Sequence, residues 1–544
     1  MLDKPFHILP PLFGAIATLG FTGFASTNAE AAKPNIVLIV ADDLGYSDLG
    51  CYGSEIATPN LDSLASNSLR FSQFYNTARC WPTRAALMTG YYPQQVRMDP
   101  QQRGRKLPNW TRTLPQYLKP AGYRSYHSGK WHVSAAPRQV QDAGFDHSYA
   151  LEEQNRFFDP KNHTEDDKHL PPVKREDGYY ATTAITDYAL KYLKEHATQH
   201  SIDPFFLYLA YISPHFPLHA PAADIERYKN KYLEGWEVIR QRRYEKLQSI
   251  GLVHCPLSKP EPDIKAPSGG PDTLRKLGAP ESFYAVPWDS LTPPQKEFQA
   301  MKMAIHAAMI DRMDQEIGRV LAQLKSMNAM ENTLIFFLSD NGASAEILVR
   351  GDGNDPAAPM GSADSYLCLG PGWATACNTP FRRHKIWVHE GGISTPLLVH
   401  WPAHTGAGGG NLSNTVGHVI DIVPTILDVA GVKAEPQWND ATAPPFPGKS
   451  LVPAFTKDDA VTRTSLYFNH ERNSGLRMTN WKIVRDDPAK PWELYDLSKD
   501  RNESINLADK DPERVRDMDN EWKRLDEQFK KNAEDAAQEK VQGK

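Results

Sequence analysis

The chain has 544 residues, 61 Lys and Arg against 66 Asp and Glu, and a formal net charge of −5. That length accommodates a large catalytic domain and a smaller one, and the slightly acidic balance lacks the basic stripe that nucleic-acid binding calls for. With 43 prolines and 35 glycines, the chain is expected to be rich in loops, as pocket-building enzymes are.

Residues 1–31 read as a signal peptide: Lys4 gives a positive end, Ile8 to Phe24 a mostly apolar core, and Ala29-Glu30-Ala31 a cleavage site. Pro10, Pro11 and several glycines interrupt the apolar run, which is short for a membrane span. No cysteine adjoins the cleavage site, which argues against a lipoprotein. The expected location is therefore outside a bacterial cytoplasm, periplasmic or secreted, with no membrane association after cleavage. Residues 32–430 are expected to form an α/β catalytic domain and residues 431–544 a smaller C-terminal α+β domain.

Asn35 to Val40 is a continuous apolar run that reads as a buried strand, and Asp42-Asp43-Leu44-Gly45 follows at once. Cys80-Trp81-Pro82-Thr83-Arg84 then opens a helical pattern, with Pro82 just inside the start, where its missing N–H costs nothing. Cys80 is thus placed at a helix N-terminus, where free N–H groups, the helix dipole and the Arg84 guanidinium favour an anion such as sulfate or phosphate. Tyr123 to His127 leads to Gly129-Lys130-Trp131-His132, and Phe205 to Tyr211 runs into Ser213-Pro214-His215. Tyr228 to Gln299, polar and proline-punctuated, reads as an insertion bordering the pocket. Thr333 to Leu338 precedes Asp340-Asn341-Gly342, and Thr395 to His400 follows Lys385 and Glu390-Gly391-Gly392.

Strands alternating with helical stretches predict a wound α/β sheet, whose ligands bind outside the carboxyl ends of the strands. Any single polar strand end reads equally well as a turn. Several such ends carrying carboxylate, lysine or histidine point to a shared site. Asp42, Asp43, Asp340 and Asn341 offer only oxygen atoms, a set that selects calcium or, less favourably, magnesium over zinc. Cys368 and Cys377 lie nine apart in a Gly/Pro-rich segment and are expected to form a disulfide; Cys51 and Cys255 carry no assignment. From about Ala430, four short alternating runs between Ser465 and Leu497 and a charged helical stretch from about Asp511 to Asn532 predict a small antiparallel sheet backed by one helix.

The Cys80 segment resembles the signature of type I sulfatases, C-x-P-[ST]-R, whose cysteine is oxidised to formylglycine. Asp42-Asp43-Leu44-Gly45 and Asp340-Asn341-Gly342 match the metal-binding positions of that family, and Lys130, His132, His215 and Lys385 match further motif positions. The likeness runs from Lys33 to about Val429, continues in Trp481-Lys482 and Glu493-Leu-Tyr-Asp-Leu497, and is greatest toward bacterial arylsulfatase-like enzymes. The chain departs from other branches in Arg382-Arg383-His384, which replaces a glycine-rich approach to the lysine.

The resemblance implies a large mixed, mostly parallel sheet sandwiched by helices, alkaline phosphatase-like, with a small C-terminal antiparallel sheet and helix. It implies a calcium ion held by Asp42, Asp43, Asp340, Asn341 and the modified Cys80. It further implies that hydrated formylglycine supplies the nucleophile, Asp340 accepts its proton, and His215 aided by Lys385 protonates the leaving oxygen. Lys130, Lys385 and Arg84 would hold the sulfate oxygens, and His132 would assist sulfate release. The implied partners are a sulfated small molecule or glycan and a formylglycine-generating maturation enzyme. Two other readings are a formylglycine-dependent phosphodiester or phosphonate monoester hydrolase, and a catalytically silent protein that binds sulfated glycans.

Overall fold

The computed structural model describes residues 33–101, 106–277, 281–402, 404–405 and 410–534. The expected signal peptide lies outside them. Seven strands build the main sheet: β1 (Asn35–Ala41), β2 (Leu69–Tyr75), β3 (Arg124–Gly129), β4 (His147–Leu151), β5 (Phe205–Ala210), β6 (Thr333–Ser339) and β7 (Ser394–His400). Their order is β2-β7-β6-β1-β5-β3-β4, and short two- and three-residue strands extend both edges. From β6 to β4 every neighbour is parallel, whereas β7 runs antiparallel to both β6 and β2.

Period-two side-chain alternation explains why the central strands read as unbroken apolar runs: both faces are covered. On β1, Val37 and Ile39 enter one core while Ile36, Leu38 and Val40 enter the other, and Leu207 and Leu209 part from Phe206 and Tyr208 on β5 in the same way. Each such side chain, buried completely, contributes about 1.5–3 kcal/mol. The first core is closed by α2 (Ala181–Gln199), α3 (Trp236–Ser249), α4 (Pro293–Ser326) and α5 (Pro371–Cys377). The second is closed by α1 (Cys80–Thr89), α6 (Ile422–Val429) and α7 (Pro512–Asn532). The layered α/β fold is the one expected.

The four C-terminal runs form an antiparallel meander, β8 (Leu466–His470), β9 (Asn473–Met478), β10 (Trp481–Arg485) and β11 (Glu493–Asp496), backed by Met518, Trp522 and Phe529 of α7. A buried ionic network joins this small sheet to the segment before β7. Lys482 donates to Glu390 at 2.9 Å and pairs with Glu503 at 2.7 Å, while Arg501 and Tyr75 reach the other Glu390 oxygen at 3.1 and 3.0 Å.

The expected disulfide is absent: Cys368 and Cys377 are both free and buried. Cys368 donates to the Leu348 carbonyl at 3.4 Å beside Phe216 and Tyr366. Cys377 ends α5 in a different core, with Sγ 3.8 Å from His306 Nε2. The intervening helix turns the two thiols toward different walls.

Candidate active site

Parallel pairing sets the register that assembles the site. Ala41 lies opposite Ser339, so Asp42 and Asp340 leave neighbouring strands side by side, and the Asp340 N–H donates to the Ala41 carbonyl at 3.1 Å. At the end of β5, His215 is flanked by cis peptide bonds at Ser213–Pro214 and Phe216–Pro217. At the end of β3, Gly129 adopts φ +120°, and a Cβ there would lie 1.9 Å from the Ala210 carbonyl. Only glycine allows that approach, which lets the Lys130 N–H bond the same carbonyl at 2.7 Å.

Antiparallel β7 explains why Lys385 precedes its strand while the other site residues follow theirs. Its first residue, Ser394, pairs with Tyr75 at the end of β2, so the start of β7 lies at the edge where β2 and β6 end. Lys385 is fixed there by its N–H to the Ala343 carbonyl and by Ile386, which bonds Ala78 from φ +87°. Positive φ at a β-branched residue is strained, and Asp43, Ala78 and His132 share the left-handed region in the same site.

Cys80 is the first residue of α1, with Arg79 extended at the N-cap. Burial pushes its thiol above the ordinary range despite Lys130 and Lys385 nearby, so the unmodified side chain is a poor nucleophile. The Thr83 hydroxyl bonds the Thr77 N–H at 3.1 Å and the Thr77 hydroxyl at 2.8 Å, fixing the turn that delivers Cys80.

Asp42, Asp43, Asp340 and Asn341 are all 0–2% exposed. Asn341 Nδ2 donates to Asp43 at 2.7 Å, Lys385 pairs with Asp43 at 2.8 Å, and Lys130 contacts Asp42. Asp42 Oδ1 and Asn341 Oδ1 are buried without a hydrogen-bond partner. Orphaned oxygens among three dry carboxylates fit a hard, oxygen-seeking cation. Against the penalty of burial, Lys130, His215 and Arg84 hold Asp42 well below the usual carboxylate range. Burial and the neighbouring Asp42 charge push Asp340 up to about 7. His215 Nε2 stands 3.7 Å from Asp43, and ligand atoms of Asp42, Asp43 and His215 all lie within 4.8 Å of one another. The carbonyl of Phe216 takes the Nδ1–H of His215, leaving Nε2 toward the site.

Arg84 lies beneath the site, beside the carboxylates. It is fully buried, donates through Nε to Asp340 at 2.8 Å and bonds the carbonyls of Lys130 and Tyr211. It thus ties Asp340 to the backbone ends of β3 and β5 and, like Lys130, does not line the cavity.

Above this floor opens a cavity of about 540 Å³ lined by Cys80, His132, His215 and Lys385. The sulfatase family profile matches residues 34–432, and the C-terminal profile of N-sulphoglucosamine sulphohydrolase matches 382–532. The chain belongs to the sulfatase family. Its enzyme class is that of the sulfuric ester hydrolases. An uncharacterised sulfatase of Schizosaccharomyces pombe is 32% identical over 91% of this chain and 93% of its own length. An arylsulfatase of Klebsiella aerogenes is 30% identical over 77% of this chain and 91% of its own. Among solved structures, Ps i-CgsB in complex with k-i-k-neocarrahexaose superposes with a TM-score of 0.64 at 24% identity, covering 91% of this chain and 93% of that one.

The rest of the sulfatase cavity was not marked in the sequence. Trp81, Phe216, Glu346, Arg350, Tyr366 and Glu471 line it, whereas the described residues of the expected border, 228–299, contribute no lining residue. That segment instead packs Trp236 and Trp288 against Trp373, and its Ser268 supports Glu346 at 3.1 Å from behind. Glu346 is the most consequential omission: 1% exposed, it pairs with Lys385 at 3.1 Å and with Arg79 at 3.4 Å. Only its position four residues beyond Gly342 gives any sequence hint. Among the described residues, no helix is long and apolar enough to cross a membrane.

Proposed function

We propose that this sulfatase removes sulfate from a sulfated carbohydrate, using formylglycine made from Cys80 and a calcium ion held by Asp42, Asp43, Asp340 and Asn341. The observation that carries the reading is Cys80 at the N-terminus of α1, opening on a cavity whose floor joins four oxygen-donor side chains to Lys130 and Lys385. Formylglycine, as its hydrate, supplies a hydroxyl that attacks sulfur and a second that permits release. The cation supplies Lewis acidity toward the sulfate and the attacking hydroxyl.

The protein's own side chains do the rest. Lys385 and Lys130 bind sulfate oxygens and stabilise charge as it shifts in the transition state. Asp340, held in place by Arg84, accepts a proton from the attacking group. His215, anchored through Nδ1 on the Phe216 carbonyl, presents Nε2 as the donor to the leaving oxygen when doubly protonated. His132, whose Nδ1 is buried without a partner, takes the proton that accompanies sulfate release. Export with signal-peptide cleavage and maturation by a formylglycine-generating enzyme belong to the same proposal.

The test is sulfate release from regiodefined sulfated sugars and an aryl sulfate, with protein co-expressed with a formylglycine-generating enzyme and the peptide mass at Cys80 recorded. Turnover of a sugar sulfate with formylglycine present is expected. Faster turnover of an aryl phosphodiester or phosphonate ester would move the assignment to that hydrolase class, and unmodified, inactive protein that retains sulfated glycan would make it a binding protein.

A further inference from the structure

Beyond the sulfate-binding floor, the cavity walls follow a different charge rule. Arg79 lies over the Trp81 ring, 5.0 Å from its centre, between Glu346 at 3.4 Å and Glu471 at 3.7 Å. Glu471 comes from the C-terminal sheet: His470 pairs with Asn473, so Glu471 sits in the two-residue turn of the β8–β9 hairpin, and that turn reaches the cavity.

A second cavity of about 190 Å³ shares Asn155, Arg350 and Tyr366 with the first. Its arginines repeat the arrangement. Arg156 is held by Asp159 at 3.2 Å and by Asp352, and Arg175 by Asp159 at 2.9 Å and Asp364 at 2.7 Å. Arg350, shared by both cavities, lies over Phe216 at 5.7 Å. Apart from Lys385 in the floor, seven carboxylates line the two cavities against four arginines.

Arg79, Arg156 and Arg175, each held between carboxylates, have little charge to offer a second anion; Arg350 rests over Phe216 without a carboxylate partner among the described residues, and the surplus carboxylates around it repel an anion. The same groups are well suited to hydroxyls, which donate to carboxylate oxygens and accept from guanidinium N–H groups, while Trp81 and Phe216 provide apolar faces. Resting on the sulfatase reading, we propose that the two cavities form one binding surface for a neutral, hydroxyl-rich sugar chain carrying a single sulfate. The sulfated unit occupies the larger cavity and its neighbour the smaller.

The test compares kcat/KM of the matured protein on a singly sulfated neutral disaccharide, its sulfated monosaccharide, and the same disaccharide with a second sulfate or a uronate on the neighbouring unit, with an aryl sulfate alongside. The extra anion is expected to lower kcat/KM by about tenfold or more, and the neutral neighbour to raise it over the monosaccharide. Asp364→Lys, at a side chain 52% exposed, is expected to shrink the preference against the extra anion about threefold or more, mainly through KM. A faster reaction with the extra anion, a neighbouring unit without effect, or an aryl sulfate turned over while all the sugars are inert would each overturn the proposal. Silence on the aryl sulfate as well, from protein shown to contain formylglycine, would instead remove the sulfatase reading on which it rests.

Discussion

Two buried clusters of charge in this molecule look alike by composition and differ in how they are closed. In the network around Glu390, both carboxyl oxygens are met: Lys482 on one, and Tyr75, Ser394 and Arg501 on the other. In the floor below Cys80, three carboxylates lie among Arg84, Lys130 and Lys385, yet Asp42 Oδ1 and Asn341 Oδ1 have no partner. A buried polar atom without a partner is costly. In the first cluster the one oxygen without a hydrogen bond, Glu503 Oε1, is still met by the Lys482 charge at 2.7 Å, and the cluster joins the C-terminal sheet to the start of β7; in the second, Asp42 Oδ1 and Asn341 Oδ1 have neither hydrogen bond nor ion pair. What separates the two clusters here is that the floor keeps unmet oxygen atoms side by side with carboxylates, an arrangement suited to a cation.

The sharpest way to break this comparison is at residue 80. Cys80→Ala, or Cys80→Ser left unmodified, is expected to lower kcat/KM on an aryl sulfate by at least about 10⁴-fold, with the melting temperature little changed because the replacement is small. Full activity in either purified variant would sink the proposed chemistry. Next comes the cation: excess chelator is expected to abolish turnover and lower the melting temperature by several degrees, with calcium restoring both better than magnesium. Unchanged activity and stability in exhaustively chelated, metal-analysed protein would show that the orphaned oxygens have another purpose.

A pair of lysines sharpens the contrast. Lys385→Met is expected to lower kcat by about 10²–10³-fold. Lys482→Met, which leaves Glu390 and Glu503 short of a buried cation, is expected to cost about 3–5 kcal/mol of stability while the folded fraction keeps kcat within a few fold. Denaturant melts and single-substrate kinetics on both variants decide it, and a large kcat loss in folded Lys482→Met would make the C-terminal network part of the catalytic apparatus. The smallest effect concerns the thiols. Reductant is expected to leave the melting temperature unchanged to within about 1 °C, since a disulfide worth the usual 2–4 kcal/mol would shift it visibly.

The disulfide and the pocket border show where sequence reading stopped. Nine residues of separation permitted a bridge between Cys368 and Cys377, but α5 between them sends the thiols into different cores. The 228–299 segment was polar enough to border a pocket, yet its tryptophans made it a packing element. The wall residues Glu346, Arg350 and Glu471 carry no motif, because a carboxylate or guanidinium becomes a wall only when distant loops converge.

The sequence by itself determined the fold class and the sulfatase family. Short unbroken apolar runs that end abruptly in polar residues fit strands covered on both faces, and an oxygen-donor set beside a C-x-P-[ST]-R segment resembles one kind of site. Tertiary structure alone decided how those groups share their charges: that Arg84 braces Asp340, that Lys385 answers to Glu346, and that antiparallel β7 brings an upstream lysine to the carboxyl edge. Strand identity follows from local side-chain alternation, but ion pairing depends on distances of a few ångströms between residues hundreds apart in sequence, and only strand order and register fix those.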